Sequence, residues 1–194
     1  MGACTHSPTE EKGDALTVKG NKHYGGTLSL NEVGFIESLF PHHISDAVAT
    51  RISSQVYEGL LKLNPKTMAV ESCLADTFYL DSSHTEYTFV LKDNVYFHDA
   101  DCFENGKGRL LTSADVINSF TKLCEYRRDN HAFSVFHDLV KGADEYYNAS
   151  IIKDRTVKSV SGLSAPDDKT VKIKLLHPST VFPCLLYTSD AADD

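Results

Sequence analysis

The chain has 194 residues, 41% of them hydrophobic and 10% aromatic, with 27 acidic against 19 basic side chains and a formal net charge of −8. That apolar content is enough for a packed core and excludes wholesale disorder. Acids and bases are interspersed and acid is in excess, which argues against a nucleic-acid or anionic-membrane surface, since either needs a basic patch.

Residues 1–24 are polar, show no periodicity and read as a flexible leader. Within it, Met1-Gly2-Ala3-Cys4 resembles the end of a bacterial lipoprotein signal, where small residues precede a Cys that is lipidated and becomes the mature N-terminus. The basic and apolar parts of such a signal do not precede it here. Cys4 is therefore the candidate lipidation site, against the plain alternative of a solvent-exposed leader cysteine. No apolar run approaches the length of a membrane span, so contact with a membrane is expected only through this lipid. The five cysteines (Cys4, Cys73, Cys102, Cys124, Cys184) form no CxxC pair, which speaks against a zinc knuckle. Their odd number speaks against a simple disulfide framework, and Cys73, Cys102 and Cys124 read as buried or idle thiols.

Gly25-Gly26-Thr27-Leu28-Ser29-Leu30 reads as a turn and a short strand, followed by a loop over 31–41. Ser45 or Asp46 caps a helix with Val48, Ile52, Val56 and Leu60 on one face and Gly59 at its end. A β-rich zone follows. Leu60–Leu63 is a strand, Asn64-Pro65-Lys66 a turn, and Thr77–Leu80 a second strand. In Glu86–Leu91, Tyr87, Phe89 and Leu91 alternate with Glu86, Thr88 and Val90, as in a half-buried antiparallel strand. Val95–Phe97 is a further short strand. Thr112 and Asp115 stand at capping-box spacing before the periodic run Val116, Phe120, Leu123. A second helical stretch spans His131–Tyr147, with Phe133, Phe136, Val140 and Tyr147 inward. Two strands, Val157–Ser164 and Thr170–Leu175, flank the turn Pro166-Asp167-Asp168, and Val171, Ile173 and Leu175 alternate with Lys172 and Lys174. The order of elements predicts a mixed α and β architecture.

The stretch from Val95 to Val116 gathers His98, Asp99, Asp101, Cys102 and Glu104 ahead of Gly106-Lys107-Gly108. As a calcium loop it fails, because counting from Asp99 puts Phe103 at position 5 and Glu104 at position 6, where an acid or amide and a Gly are required. As a phosphate loop it fails because Gly-x4-Gly-Lys-Ser/Thr is absent. Zinc through His98, Asp99 and Cys102 is chemically conceivable; a surface turn between strand and helix accounts for the residues better. His42-His43 follows Pro41 and reads as an exposed loop in preference to a metal pair. The other histidines are scattered, with no HExxH. There is no Gly-x-Ser-x-Gly elbow, and no carboxylate pair has a spacing that singles it out for glycoside chemistry. No catalytic residue, resident metal or cofactor is assigned.

The ordered set of segments GGTLSLNEVGFIESLFP, ISSQVYEGLLKLNPKTMAVESCLADTFYLDSSHTEYTFVLKDNVYFHD and GRLLTSADVINSFTKL, then Gly142-Ala143 with Glu145-Tyr146-Tyr147, and finally Leu176-His177-Pro178, resembles the amino-terminal part of the family 5 extracellular solute-binding proteins of peptide and nickel ABC transporters. No single piece is specific, but the ordered set covers residues 25–183. The resemblance implies a mixed α/β, periplasmic-binding-protein type II-like fold, first lobe only, with an antiparallel sheet-plus-helices subdomain. On that reading residues 25–59 start the ligand-binding lobe, 60–177 form the α+β subdomain lying away from the cleft, and 178–183 are a stub of the returning lobe. Residues 184–194, CLLYTSDAADD, read as the translated frame of a transposon-type library adapter. The implied function is the substrate-binding component of an ABC importer. It captures peptides or similar small solutes outside the cytoplasmic membrane and delivers them to a permease by lobe closure, with no chemical step. Asn31, Glu32, Val33, Gly34 and Phe35, in the loop after the first strand, are then the expected ligand contacts, Gly34 allowing close backbone approach. The alternative is a loop with Phe35 packed inside. A secreted hydrolase and an envelope protein-interaction module are the rival classes. A cleft with one wall buries too little of a ligand, so the chain as it stands is expected not to bind solute.

Overall fold

The computed structural model describes residues 17–19, 22–24, 29 and 31–188, with side chains to Leu186. Two compact units divide between Gly34 and Phe35. Cys4, the residues Gly25–Leu28 and Leu30 of the expected first strand, and 189–194 lie outside the described residues; Ser29 takes no regular structure. In the first unit β1 (Thr17–Lys19) and β2 (Lys22–Tyr24) pair antiparallel, Val18 opposite His23. The sequence reading placed no element there, since three-residue strands are too short to show alternation.

The second unit begins with a short 3-10 turn, Pro41–His43, and α1 (Ala47–Val56). Asp46 caps α1 by accepting from the Ala49 amide at 2.8 Å. The helix buries Ala49 and Ser53, whereas Val48 and Ile52 are half-buried and Val56 is exposed. Of the expected face Val48, Ile52, Val56 and Leu60, only Leu60 is fully buried, and it lies beyond the helix, which ends at Val56, before Gly59. β3 (Leu61–Leu63) pairs with β4 (Val70–Ser72) across a turn in which Asn64 Oδ1 accepts from the amides of Lys66 and Thr67.

The centre is a four-stranded antiparallel sheet in the order β5 (Ala75–Leu80), β6 (Glu86–Leu91), β8 (Thr170–Lys174), β7 (Leu163–Ser164). Phe89 lies opposite Phe78 on one side and Val171 on the other. The residues expected to face inward in β6 and β8 do so, Tyr87, Phe89, Leu91, Val171 and Ile173 being buried, but Thr88, expected on the outer face of β6, is buried as well. Burying such apolar side chains contributes about 1.5–3 kcal/mol each. They join Val116 and Leu123 of α2 (Ser113–Leu123), together with Phe136, Val140 and Phe182, in one core. At the head of α2 the expected box is present: Asp115 accepts from the Thr112 amide at 2.9 Å, and Arg109 clamps the same carboxylate. Ser113 ties the helix to the β7–β8 turn, its amide donating to Asp168 O at 2.8 Å and its hydroxyl to Asp167 O.

The expected helix over His131–Tyr147 is not continuous. A 3-10 turn, Ala132–Val135, precedes a break, and α3 runs Ala143–Ile151. Asp138 (φ 53°) and Gly142 (φ 79°) take left-handed backbone in the break, which ends a right-handed helix. A Cβ at Gly142 would stand 2.3 Å from Ser161 Oγ, so only glycine fits. Val140 instead bridges to Leu175, and the Lys141 amide donates to Lys174 O at 2.9 Å. The strand expected over Val157–Ser164 is regular only at Leu163–Ser164, and that over Val95–Phe97 is reduced to a bridge between Tyr96 and Leu110. Helix α4 spans Phe182–Thr188, with Phe182 and Leu186 buried.

Candidate functional site

The expected contact loop Asn31–Phe35 bends at Val33–Gly34. Asn31, Val33, Gly34 and Phe35 are exposed and Glu32 is half-buried. Val33 and Phe35 are 103% and 97% exposed. Phe35 is therefore not packed inside, as the structural alternative required. Exposed apolar residues of this kind are ordinary on a protein surface and by themselves mark no site. The division between the two units falls within this loop.

From Phe40 the chain packs into the second unit. The Phe40 ring meets both following imidazoles edge-on, at 5.0 Å for His42 and 4.8 Å for His43. His42 O accepts from the His131 amide at 2.9 Å. Both histidines are half-buried, so the exposed-loop reading is corrected: Phe40 and the 129–131 segment cover them. They line a groove of about 300 Å³ with Lys122, Glu125, Arg127 and Asn130. Burial, then His43 and Lys122, lower the His42 pKa, so the ring is neutral at pH 7. His43 Nε2 is shielded from solvent and lies 3.3 Å from Asp129 Oδ2 without forming a hydrogen bond.

The acid-rich stretch noted in the sequence is a strapped surface loop. Asp99 accepts from Lys107 Nζ at 2.6 Å and from the Gly108 amide at 3.0 Å. Those two contacts, then His98, hold its carboxyl below the usual range. Both oxygens are engaged, and a zinc site with His98 and Cys102 would have to break them. Cys102 is exposed, Cys73 half-buried and Cys124 buried, so idle but not uniformly buried describes the three. Burial, then Asp144, pushes the Cys124 thiol up to about 12. Cys73 is also raised, by burial and then Glu58. Neither thiol is poised as a nucleophile, which needs the thiolate.

Among the described residues one cluster, His137, Asp138 and Asp144, brings three metal-type ligand atoms within 4.8 Å. His137 Nδ1 lies 2.5 Å from Asp144 Oδ1, and Asp144 Oδ2 accepts from the Asp138 amide at 3.0 Å. The arrangement closes the break before α3, and the ion pair already satisfies the atoms a metal would need. Sequence spacing missed it because the partners meet across two left-handed residues.

The family model for bacterial extracellular solute-binding proteins, family 5 Middle, matches residues 69–193. A heme-binding protein A of Haemophilus influenzae is 26% identical over 185 residues, covering 94% of this chain and 31% of that protein. A di/tripeptide-binding protein 2 of Pseudomonas aeruginosa is 25% identical over 127 residues, covering 66% of this chain and 22% of that protein. The chain thus spans about a third or less of the length of these relatives. Among solved structures, a periplasmic oligopeptide-binding protein of Borrelia burgdorferi aligns with a TM-score of 0.64 at 23% identity, over 79% of this chain and 28% of that one. The unliganded open form of a periplasmic murein tripeptide-binding protein aligns equally well, at 0.64 and 22% identity, over 79% and 27%. These likenesses establish the fold: a partial lobe of a periplasmic binding protein.

Proposed function

This chain belongs to the bacterial extracellular solute-binding proteins of family 5, and on that premise we propose that it is the first-lobe portion of the substrate-binding component of an ABC importer. The whole protein captures peptides or similar small solutes outside the cytoplasmic membrane and delivers them to a membrane permease. Relatives named for heme, for di- and tripeptides and for peptide transport support a small-solute cargo. Among the described residues no helix is long and apolar enough to cross a membrane, and attachment runs through a lipid on Cys4.

The observation that carries the reading at residue level is the open pair Val33 and Phe35 in the loop Asn31–Phe35. Their exposed area is the share of the solute contact that this chain supplies, with Asn31, Glu32 and Gly34 offering backbone groups to an extended peptide. Binding proceeds without turnover. Calorimetric titration of the full-length protein with short peptides tests this, alongside mass spectrometry of the same peptides. Saturable binding with intact peptide supports it. Cleavage of the peptide establishes the hydrolase class instead, and absence of binding to any small solute favours a protein-interaction module.

A further inference from the structure

The segment Phe40–Ile44 lies against the loop that follows α2, and the seam between them holds two adjacent imidazoles. The His43 amide closes the 3-10 turn by donating to Phe40 O at 2.9 Å, and Ile44 just beyond it is buried. Among the described residues one main-chain hydrogen bond crosses the seam, from the His131 amide to His42 O at 2.9 Å. The receiving side is braced without the histidines. Asn130 Nδ2 donates to Leu123 O at 2.8 Å and to Glu125 O at 2.9 Å, and Asn130 Oδ1 accepts from the Ala132 amide at 3.1 Å. The side free to part is therefore Phe40–Ile44.

The two rings face different charges. His43 Nε2 is shut off from solvent, 3.3 Å from Asp129 Oδ2 and without a hydrogen bond. Arg127 Nε lies 3.4 Å from the other oxygen of that carboxylate. A proton on His43 thus meets an anion. His42 shares its groove with Lys122, Glu125 and Arg127. A proton there leaves water and meets the neighbouring imidazole and Lys122; burial first, then these two, hold the His42 pKa below its ordinary value. Glu125 pulls the other way without reversing the direction, and the His131 residue is exposed. The closed seam accommodates one proton on the pair and resists the second. With Phe40–Ile44 swung away, both rings meet water and the second proton binds freely. The open form holds more protons, so acid favours it.

We propose that Phe40–Ile44 is an acid-released latch on the 129–131 segment, parted by a second proton on the His42–His43 pair while the sheet core stays folded. This goes beyond the solute-binding reading and does not depend on it.

Amide hydrogen exchange of the 194-residue chain between pH 7.5 and pH 5, followed by NMR and referred at each pH to the intrinsic rate, tests the latch at His131. The Leu91 amide, which donates to Lys169 O at 2.8 Å, serves as the core reference. A depressed imidazole contributes stability that is present above the unfolded value of about 6.5 and is lost as pH falls. Protection at His131 should therefore drop by up to about tenfold per pH unit below about 6.5, the limit for one proton, with Leu91 unchanged. His42→Gln removes the site of the second proton and should flatten the profile, whatever it does to the level of protection. Lys122→Gln, at an exposed side chain, should shrink the drop. A flat wild-type profile, the same drop in His42→Gln, or an equal drop at Leu91 would overturn the assignment; the last would mark global acid unfolding.

Discussion

The phenol of Tyr87, in the middle of the sheet, donates to the main-chain carbonyl of Ser179 at 2.7 Å, bridging 92 residues of sequence. The same ring lies 5.2 Å from that of Phe182, which touches Phe136 in turn at 6.2 Å. One strand residue thus fixes the chain as it leaves β8 for α4. Tyr87→Phe keeps the ring and removes the bond, so it should cost about 1 kcal/mol in urea unfolding. Phe182→Ala removes a fully buried ring and should cost about 3–5 kcal/mol. Equal and negligible effects would mean that α4 is not docked on the sheet.

Asp115 gives the fold a pH dependence with a defined sign. Its pKa is lowered to about 2, chiefly by Arg109, with Thr112 assisting against a smaller burial effect. A depressed carboxyl contributes stability that is present above the unfolded value of about 3.9 and is lost as pH falls toward the folded one. Asp115→Asn should therefore flatten stability between about pH 4 and pH 2, read as the urea midpoint against pH, and destabilise the protein at pH 7 by about 1 kcal/mol through the lost cap.

His137 runs the other way. Asp144, then Asp138, raise its pKa above the ordinary imidazole value. Its contribution is complete below the unfolded value of about 6.5 and fades as pH rises through the higher folded value. Proton NMR of the His137 ring should titrate above that ordinary value, and Asp144→Asn should bring it back down. A midpoint unchanged by Asp144→Asn would contradict the pairing.

How much of this was legible in the sequence depends on how local the determinants are. The bounds of strand β6 were readable because Tyr87, Phe89 and Leu91 recur at period two, but the burial of Thr88 between them was not. The start of α2 was readable because Thr112 and Asp115 are three apart. The break between Val135 and Ala143 was not. Phe133, Phe136 and Val140 keep helical spacing, and the choice was made by a distant partner, Leu175. Strand β4 is too short to carry a period, and its partner is set by the Asn64 turn. The burial of His42 and His43 comes from the 129–131 segment, far along the chain. The loop Asn31–Phe35 was singled out by family resemblance, and the exposure of Val33 and Phe35 was not readable from residue types that normally pack inside.

The thiols provide an inexpensive check on the core. Burial raises Cys124 to about 12, while Cys102 is exposed. Iodoacetamide at pH 8 should label Cys102 in the native chain and reach Cys124 only after unfolding. Fast native labelling of Cys124 would show that the α2–α3 region is open.

The central claim is that this chain supplies one wall of a solute site through the loop Asn31–Phe35. Calorimetry of the full-length protein with its best-binding peptide, compared between wild type and a Val33→Ser, Phe35→Ala variant, tests it most directly. The account predicts saturable wild-type binding without cleavage, and a loss of roughly tenfold or more in the variant, about 1.4 kcal/mol or above, at unchanged stability. Equal affinity in the two proteins would contradict it.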